Sequence, residues 1–286
     1  KPLINKITIP HSILSDTDEI ILQKIGIKSY VTFSYILILI HHSCLFLLEH
    51  LNFNLLVFSK IIASSGKRAF TVDLHCHMFV PKAATAVAEA FDMETDGLHR
   101  FSNEATREVN AKQAGEIKEQ LTDVDRRLLD MDQMGIDIQA ISPVPLQYYY
   151  ALDADLGRES SRLINDEIAE VVAAHPDRFV GLGNLPMQDP EMAVAELERV
   201  VNELDFRGIE LSTNVNGDEL SNDRFKKIFA KAEELDVLVF LHPNGFSDGN
   251  RLTDHYFINV IGNPLDTTVA VPHLIFDGVL DRHPNL

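Results

Sequence analysis

The 286-residue sequence has no tryptophan, only two cysteines and, through its first 62 residues, no alanine. Two cysteines, Cys44 and Cys76, are too few for a disulfide scaffold, so stability must come from apolar packing, and a reducing compartment suits them. Basic residues are scarce: 25 Lys plus Arg stand against 43 Asp plus Glu, a formal charge of −18. Binding to a phosphate backbone demands the opposite balance, so no nucleic-acid partner is expected. At 45% apolar and 24% charged residues, the chain also fits neither disorder nor collagen nor a coiled coil.

The missing alanine marks a boundary. Residues 1–62 carry 13 Ile and 11 Leu, whereas the sequence from Ala63 onward is alanine-rich and acidic. Residues 1–66 hold five lysines and four acids, leaving 20 basic and 39 acidic groups for residues 67–286. Two regions are therefore expected: an atypical N-terminal extension over 1–66 and a folded domain over 67–286. Within the extension, Tyr30–Leu48 runs 19 residues without a formal charge, and a bilayer core takes ~20. His41 and His42 near its middle, with scattered Ser and Thr, argue against a membrane helix. A signal peptide fits worse, because the apolar run starts late and no small-residue cleavage site follows. The composition is that of translated AT-rich non-coding DNA, so the extension is read as a gene-model artefact or a segment outside the fold. The expected location is cytoplasmic.

From Phe70 onward, short apolar runs alternate with longer stretches of helical period. Strands are expected at Phe70–His75, Ile136–Ser142, Phe179–Leu185, Gly208–Ser212 and Val237–His242, apolar enough for a parallel sheet covered on both faces. Helices are expected at Leu121–Met134 and Leu156–Ala174. Another should start at Asp189 as N-cap with Pro190 in its first turn, and a further one at Ser221 or Asn222. Such βα repeats build either an open doubly wound sheet or a closed barrel. A glycine-rich turn after the first strand would mark a nucleotide-binding sheet, and Leu74-His75-Cys76-His77-Met78 stands there instead. An α/β fold of the (β/α)8 TIM-barrel type is thus expected.

His75 and His77, two apart at a strand end, project to one side and Cys76 to the other. Taken alone, His-x-His is a weak signal. His242 ends a second strand, however, and would bring a third imidazole to the same rim, enough to hold one divalent cation. Cys76 is expected as a packed thiol against a helix. Tyr148–Tyr150 line the mouth or pack as a loop on the barrel. Arg100, Arg107 and Arg251 are candidates for a substrate carboxylate, with solvated arginine as the default. His99, His175, His255, His273 and His283 are read as loop, helix or chain-end residues.

Three segments together carry a resemblance: Asp73-Leu-His-Cys-His-Met-Phe-Val-Pro81, Ala174-His-Pro-Asp-Arg-Phe-Val-Gly-Leu-Gly-Asn-Leu-Pro-Met-Gln-Asp-Pro190 and Phe240-Leu-His-Pro243. From about Val72 to the last residue the chain resembles the amidohydrolase superfamily. The nearest branch contains aminocarboxymuconate semialdehyde decarboxylase and related aromatic-acid decarboxylases. The resemblance implies a distorted TIM barrel with one divalent metal, usually zinc, at its mouth. The family's first-strand pair falls on His75 and His77, and its fifth-strand histidine on His242. Residues 262–286 are similar to the helix before the family's sixth strand. The sixth-strand histidine that serves as general acid or base, and the eighth-strand aspartate, find no counterpart. About five of eight strands are therefore expected here, as a piece of a longer enzyme. The activity implied is non-oxidative decarboxylation of a small unsaturated or aromatic carboxylic acid, with homodimers a family habit. Two alternatives stand beside it: a metal-dependent hydrolase or hydratase of a lactone, amide or dicarboxylate, and a truncated, inactive barrel.

Overall fold

A computed structural model describes residues 68–286. Tyr30–Leu48, Cys44, His41 and His42 lie outside the described residues. Among those described, no helix is long and apolar enough to cross a membrane.

Five strands form one parallel sheet in chain order: β1 (Val72–Met78), β2 (Ile138–Pro143), β3 (Phe179–Gly183), β4 (Gly208–Ser212) and β5 (Leu238–His242). All five expected strands are present. β1 runs three residues beyond its expected end at His75. The helices that cover the sheet include α1 (Pro81–Val87), α2 (Glu104–Glu116), α3 (Val124–Met134), α4 (Ala154–Ala174), α5 (Pro190–Asn202), α6 (Lys226–Glu234) and α7 (Asn263–Phe276). The starts of α2 to α5 follow side-chain caps, whereas Asn222 caps a short turn and α6 itself begins four residues later, at Lys226. The Asp189 side chain accepts from the Glu191 and Met192 amides with Pro190 in the first turn, and Asp153 caps α4. The expected helix over Leu121–Met134 is interrupted, because Asp123 leaves helical backbone to cap α3 through the Arg126 amide.

Alternation divides the sheet into two faces. Leu74, Ile138, Ala140 and Leu182, with Val72, Val180, Leu238 and Phe240, fill the inner one. Ile141, Phe179, Ile209 and Leu211 face outward into a larger core shared with the helices, where Met131, Ile164, Leu197, Phe206 and Phe229 are buried. Each fully buried side chain of this size contributes ~1.5–3 kcal/mol.

The sheet cannot be flat. Four strand spacings would put the first and fifth strands ~19 Å apart. Yet the rings of His75 on β1 and His242 on β5 have centroids 4.9 Å apart. The sheet therefore curls, as a TIM barrel requires, and the C-terminal ends of its two outermost strands meet across the mouth.

Candidate metal centre

Plain pleating would spoil the site. Val72 and Leu74 face the interior, so an unbroken β1 would turn His75 and His77 outward and Cys76 inward. A β-bulge prevents this. Asp73 pairs with Gln139 and Cys76 with Ile141, so three steps on β1 match two on β2. The extra residue reverses the alternation. Leu74 and His75 are both directed inward, His75 reaching the ring of Phe240 at 5.5 Å. Cys76 is packed in the outer core, and its thiol donates to the Ala140 carbonyl at 3.1 Å. Burial pushes that thiol well above its ordinary pKa of 9.0. The expected direction of all three side chains thus holds, through a device that the residue spacing does not reveal.

The three histidines each bring a ligand atom within 4.8 Å of the others. Ring centroids are 5.0 Å apart for His75 and His77, and 4.8 Å for His77 and His242. The Nε2 atoms of His75 and His77 lie 3.1 Å apart, and two nitrogens each ~2.1 Å from one tetrahedral ion would sit ~3.4 Å apart. Neighbouring carbonyls settle the tautomer of two of the rings. The Nδ1–H of His77 donates to Pro143 at 2.9 Å, and that of His242 to the carbonyl of Pro243 at 2.7 Å. A carbonyl only accepts, so both rings carry the proton on Nδ1 and leave the Nε2 lone pair toward the cluster. The donor set fits a divalent cation with imidazole preference.

The loop after β5 is tied down from across the mouth. Asn244 donates to Asp96 at 2.6 Å. A Cβ on Gly97 would stand 2.4 Å from the Asn244 carbonyl oxygen, so the two backbones touch. Gly245 takes the left-handed conformation needed there, φ +83°.

Beneath the cluster lies a carboxylate that the sequence analysis did not single out. Glu210 on β4 is buried; its Oε1 accepts from Tyr148 at 2.7 Å, and Oε2 is 3.8 Å from His77 Nδ1. Burial, only partly countered by the Tyr148 and Ser142 hydroxyls, pushes its pKa up to about 8. An acid within the apolar strand Gly208-Ile-Glu-Leu-Ser212, two residues before the partner of His242, was the available signal.

Tyr148 points at the site, while Tyr149 packs edge-on against Phe91, so the tyrosine run does both things expected of it. Tyr150 stacks on Tyr148 with centroids 5.4 Å apart. Arg107 is engaged by Glu94 and the His99 carbonyl, Arg100 lies over Phe101, and Arg251 is exposed in a short turn. None of the three is tied to the cluster by an observed bond. The remaining described histidines have local roles, such as His273 beside Asp277 and His283 beside Glu233.

A curled parallel sheet whose strand ends bring three imidazoles together is the arrangement of part of an α/β barrel with a candidate metal centre at its mouth. Residues 72–286 match the family model described as amidohydrolase, and the chain belongs to that family. It is 34% identical over 223 residues to 2-amino-3-carboxymuconate-6-semialdehyde decarboxylase of Dictyostelium discoideum, an alignment covering 77% of this chain and 61% of that one. It is also 34% identical over 188 residues to gamma-resorcylate decarboxylase of Polaromonas sp., covering 60% and 56%. A crystal structure of dihydroxybenzoic acid decarboxylase from Polaromonas sp., with bound manganese and the inhibitor 2-nitroresorcinol, superposes with TM-score 0.63 at 27% identity. It covers 76% of this chain and 63% of that one. The chain therefore spans between 56% and 63% of the length of these relatives.

Proposed function

We propose that His75, His77 and His242 hold one divalent cation, zinc, and that the site serves non-oxidative decarboxylation of a small unsaturated or aromatic carboxylic acid. The observation that carries this reading is the convergence of three imidazoles from opposite edges of one sheet, two of them oriented by a carbonyl on Nδ1. Three nitrogen donors suit zinc, and the named activities of the relatives support the reaction class.

A bound cation supplies positive charge for a substrate carboxylate, along with Lewis acidity. It also reconciles an acidic substrate with a chain of charge −18, because local charge outweighs the distant total. The protein's own residues do the rest. Pro143 and Pro243 carbonyls fix the rings of His77 and His242. Leu74, Leu182 and Phe240 pack together on the inner face below the mouth. Tyr148 holds Glu210 behind His77. On this reading the partner is a small carboxylic acid met in the cytoplasm, and a homodimer is a possible assembly.

The site is tested by metal analysis of the purified full chain. One zinc per chain is expected. His242→Ala should weaken zinc affinity beyond the ~10–100-fold that loss of an outer-sphere partner costs; a chain retaining no zinc overturns the assignment. The reaction is tested by carbon dioxide release against ring opening, across dihydroxybenzoates and unsaturated dicarboxylates. Ring opening without gas from any acid would replace decarboxylase by hydratase or hydrolase.

A further inference from the structure

The bulge in β1 decides where His75 and His77 point, and a buried polar relay is built against it. At the last regular position before the extra residue, Asp73 faces Gln139 of β2. The two side chains bond, Gln139 Nε2 donating to Asp73 Oδ2 at 3.0 Å. The other carboxylate oxygen of Asp73 accepts from the His75 backbone N–H at 3.1 Å. That amide lies inside the bulge, where the ladder to β2 is interrupted. The other end of the Gln139 amide meets Arg127 of α3, whose Nη1 donates to Oε1 at 3.1 Å. The Arg127 Nη2 group donates to the carbonyl of His77 and, at 2.7 Å, to that of Gln120. Arg127 is only 8% exposed and Gln139 6%.

This arrangement takes hold of the backbone on both sides of Cys76: the N–H of His75 and the C=O of His77. It also accounts for glutamine at 139. Arg127 only donates and Asp73 only accepts, so the linker must accept at one end and donate at the other. An amide does this and a carboxylate does not.

We propose that Asp73, Gln139 and Arg127 are positioning residues that fix the bulge and so aim His75 and His77 at a common ion. The proposal rests on the three-histidine reading and deepens it. Its alternative state is β1 slipped by one residue relative to β2, with Cys76 at the mouth and the imidazoles turned to the helices.

The relay makes a reciprocal prediction. Gln139→Glu keeps the shape but sets two carboxylates face to face. Asp73→Asn sets amide N–H groups against one another, or against the His75 N–H if the side chain flips. Together, Asp73→Asn with Gln139→Glu restores the order: Arg127 donates to Glu, and Asn donates to Glu while accepting from His75. The test is titration of the full chain with Co2+, read by the visible absorption of the bound ion. Each single variant is expected to bind Co2+ ~10–100-fold more weakly, the range for outer-sphere partners of metal ligands. The double variant should return to within a few-fold of the parent, with the parent's spectrum. Generic loss of stability would not be repaired by adding a second substitution. Parent-like affinity in either single variant, or no recovery in the double variant, overturns the relay. A parent chain that shows no cobalt spectrum overturns the three-histidine reading itself, a distinguishable failure.

Discussion

Cys76 stands between two proposed ligands and takes no part in the cluster, because the reversal of alternation in β1 seals its sulfur under the helices. It exposes 8% of its surface, and burial disfavours its thiolate. Cys76 is therefore expected to resist iodoacetamide in the native chain and to react only in denaturant. Peptide mapping that separates it from Cys44 reads this directly; fast native labelling of Cys76 would contradict the packing. At this scale, His75, His77 and His242 were legible because strand ends announce themselves through apolar runs. Glu210 was not legible because a lone acid inside an apolar strand belongs to no spacing motif. Arg127 and Gln139 were illegible for another reason: their importance comes from a bulge, and a bulge leaves no periodic trace.

At the level of elements, a close contact on β3 offers a test of how tightly sheet and helices fit. A Cβ added to Gly181 would meet the Phe206 ring at 2.5 Å, and Phe206 is 1% exposed. Gly181→Ala should cost ~1–3 kcal/mol through overpacking, seen as a lower urea midpoint with an unchanged slope. A neutral result would mean that the ring has room to withdraw. The strands were legible in number and order, since buried parallel strands are apolar throughout, and the four helices read from the pattern appear as α3 to α6; α1 and α2, between β1 and β2, were not read. The ends of the elements were less legible. β1 outran its expected end at His75 because the residues beyond it alternate about a shifted phase. The break before α3 was hidden because Asp123 sits inside an otherwise continuous helical pattern.

For the described part of the molecule as a whole, the last residues are held by hydrogen bonds to a carboxylate of α6. His283 pairs with Glu233 of α6 at 2.9 Å, and the Asn285 backbone donates to the same carboxylate at 3.1 Å. Ser221 and His273 similarly bond Asp277. The His283 hydrogen bond, then the Asn285 backbone, hold the Glu233 carboxyl below its ordinary pKa of 4.5. A depressed folded-state pKa contributes stability that is complete above the unfolded value and is lost as pH falls through the folded one. The acid limb below about pH 4.5 should therefore steepen thermal destabilisation. Glu233→Gln should flatten that limb while changing little of its slope near neutrality. Melting midpoints against pH for both proteins check this, and parallel curves would refute it. The curl of the sheet is also a property of this scale. The residue pattern left an open sheet and a barrel equally available; the absent glycine-rich turn and the amidohydrolase resemblance spoke for the barrel.

The kink where β1 takes one more step than β2 separates the spelling of a segment from its address. Removing Leu74 would yield a straight strand in which both imidazole groups still look into the cavity. Retaining it and straightening the strand would send sulfur there instead. The same His-Cys-His tripeptide can thus line the cavity with nitrogen or with sulfur, and the one additional residue in the kink decides which.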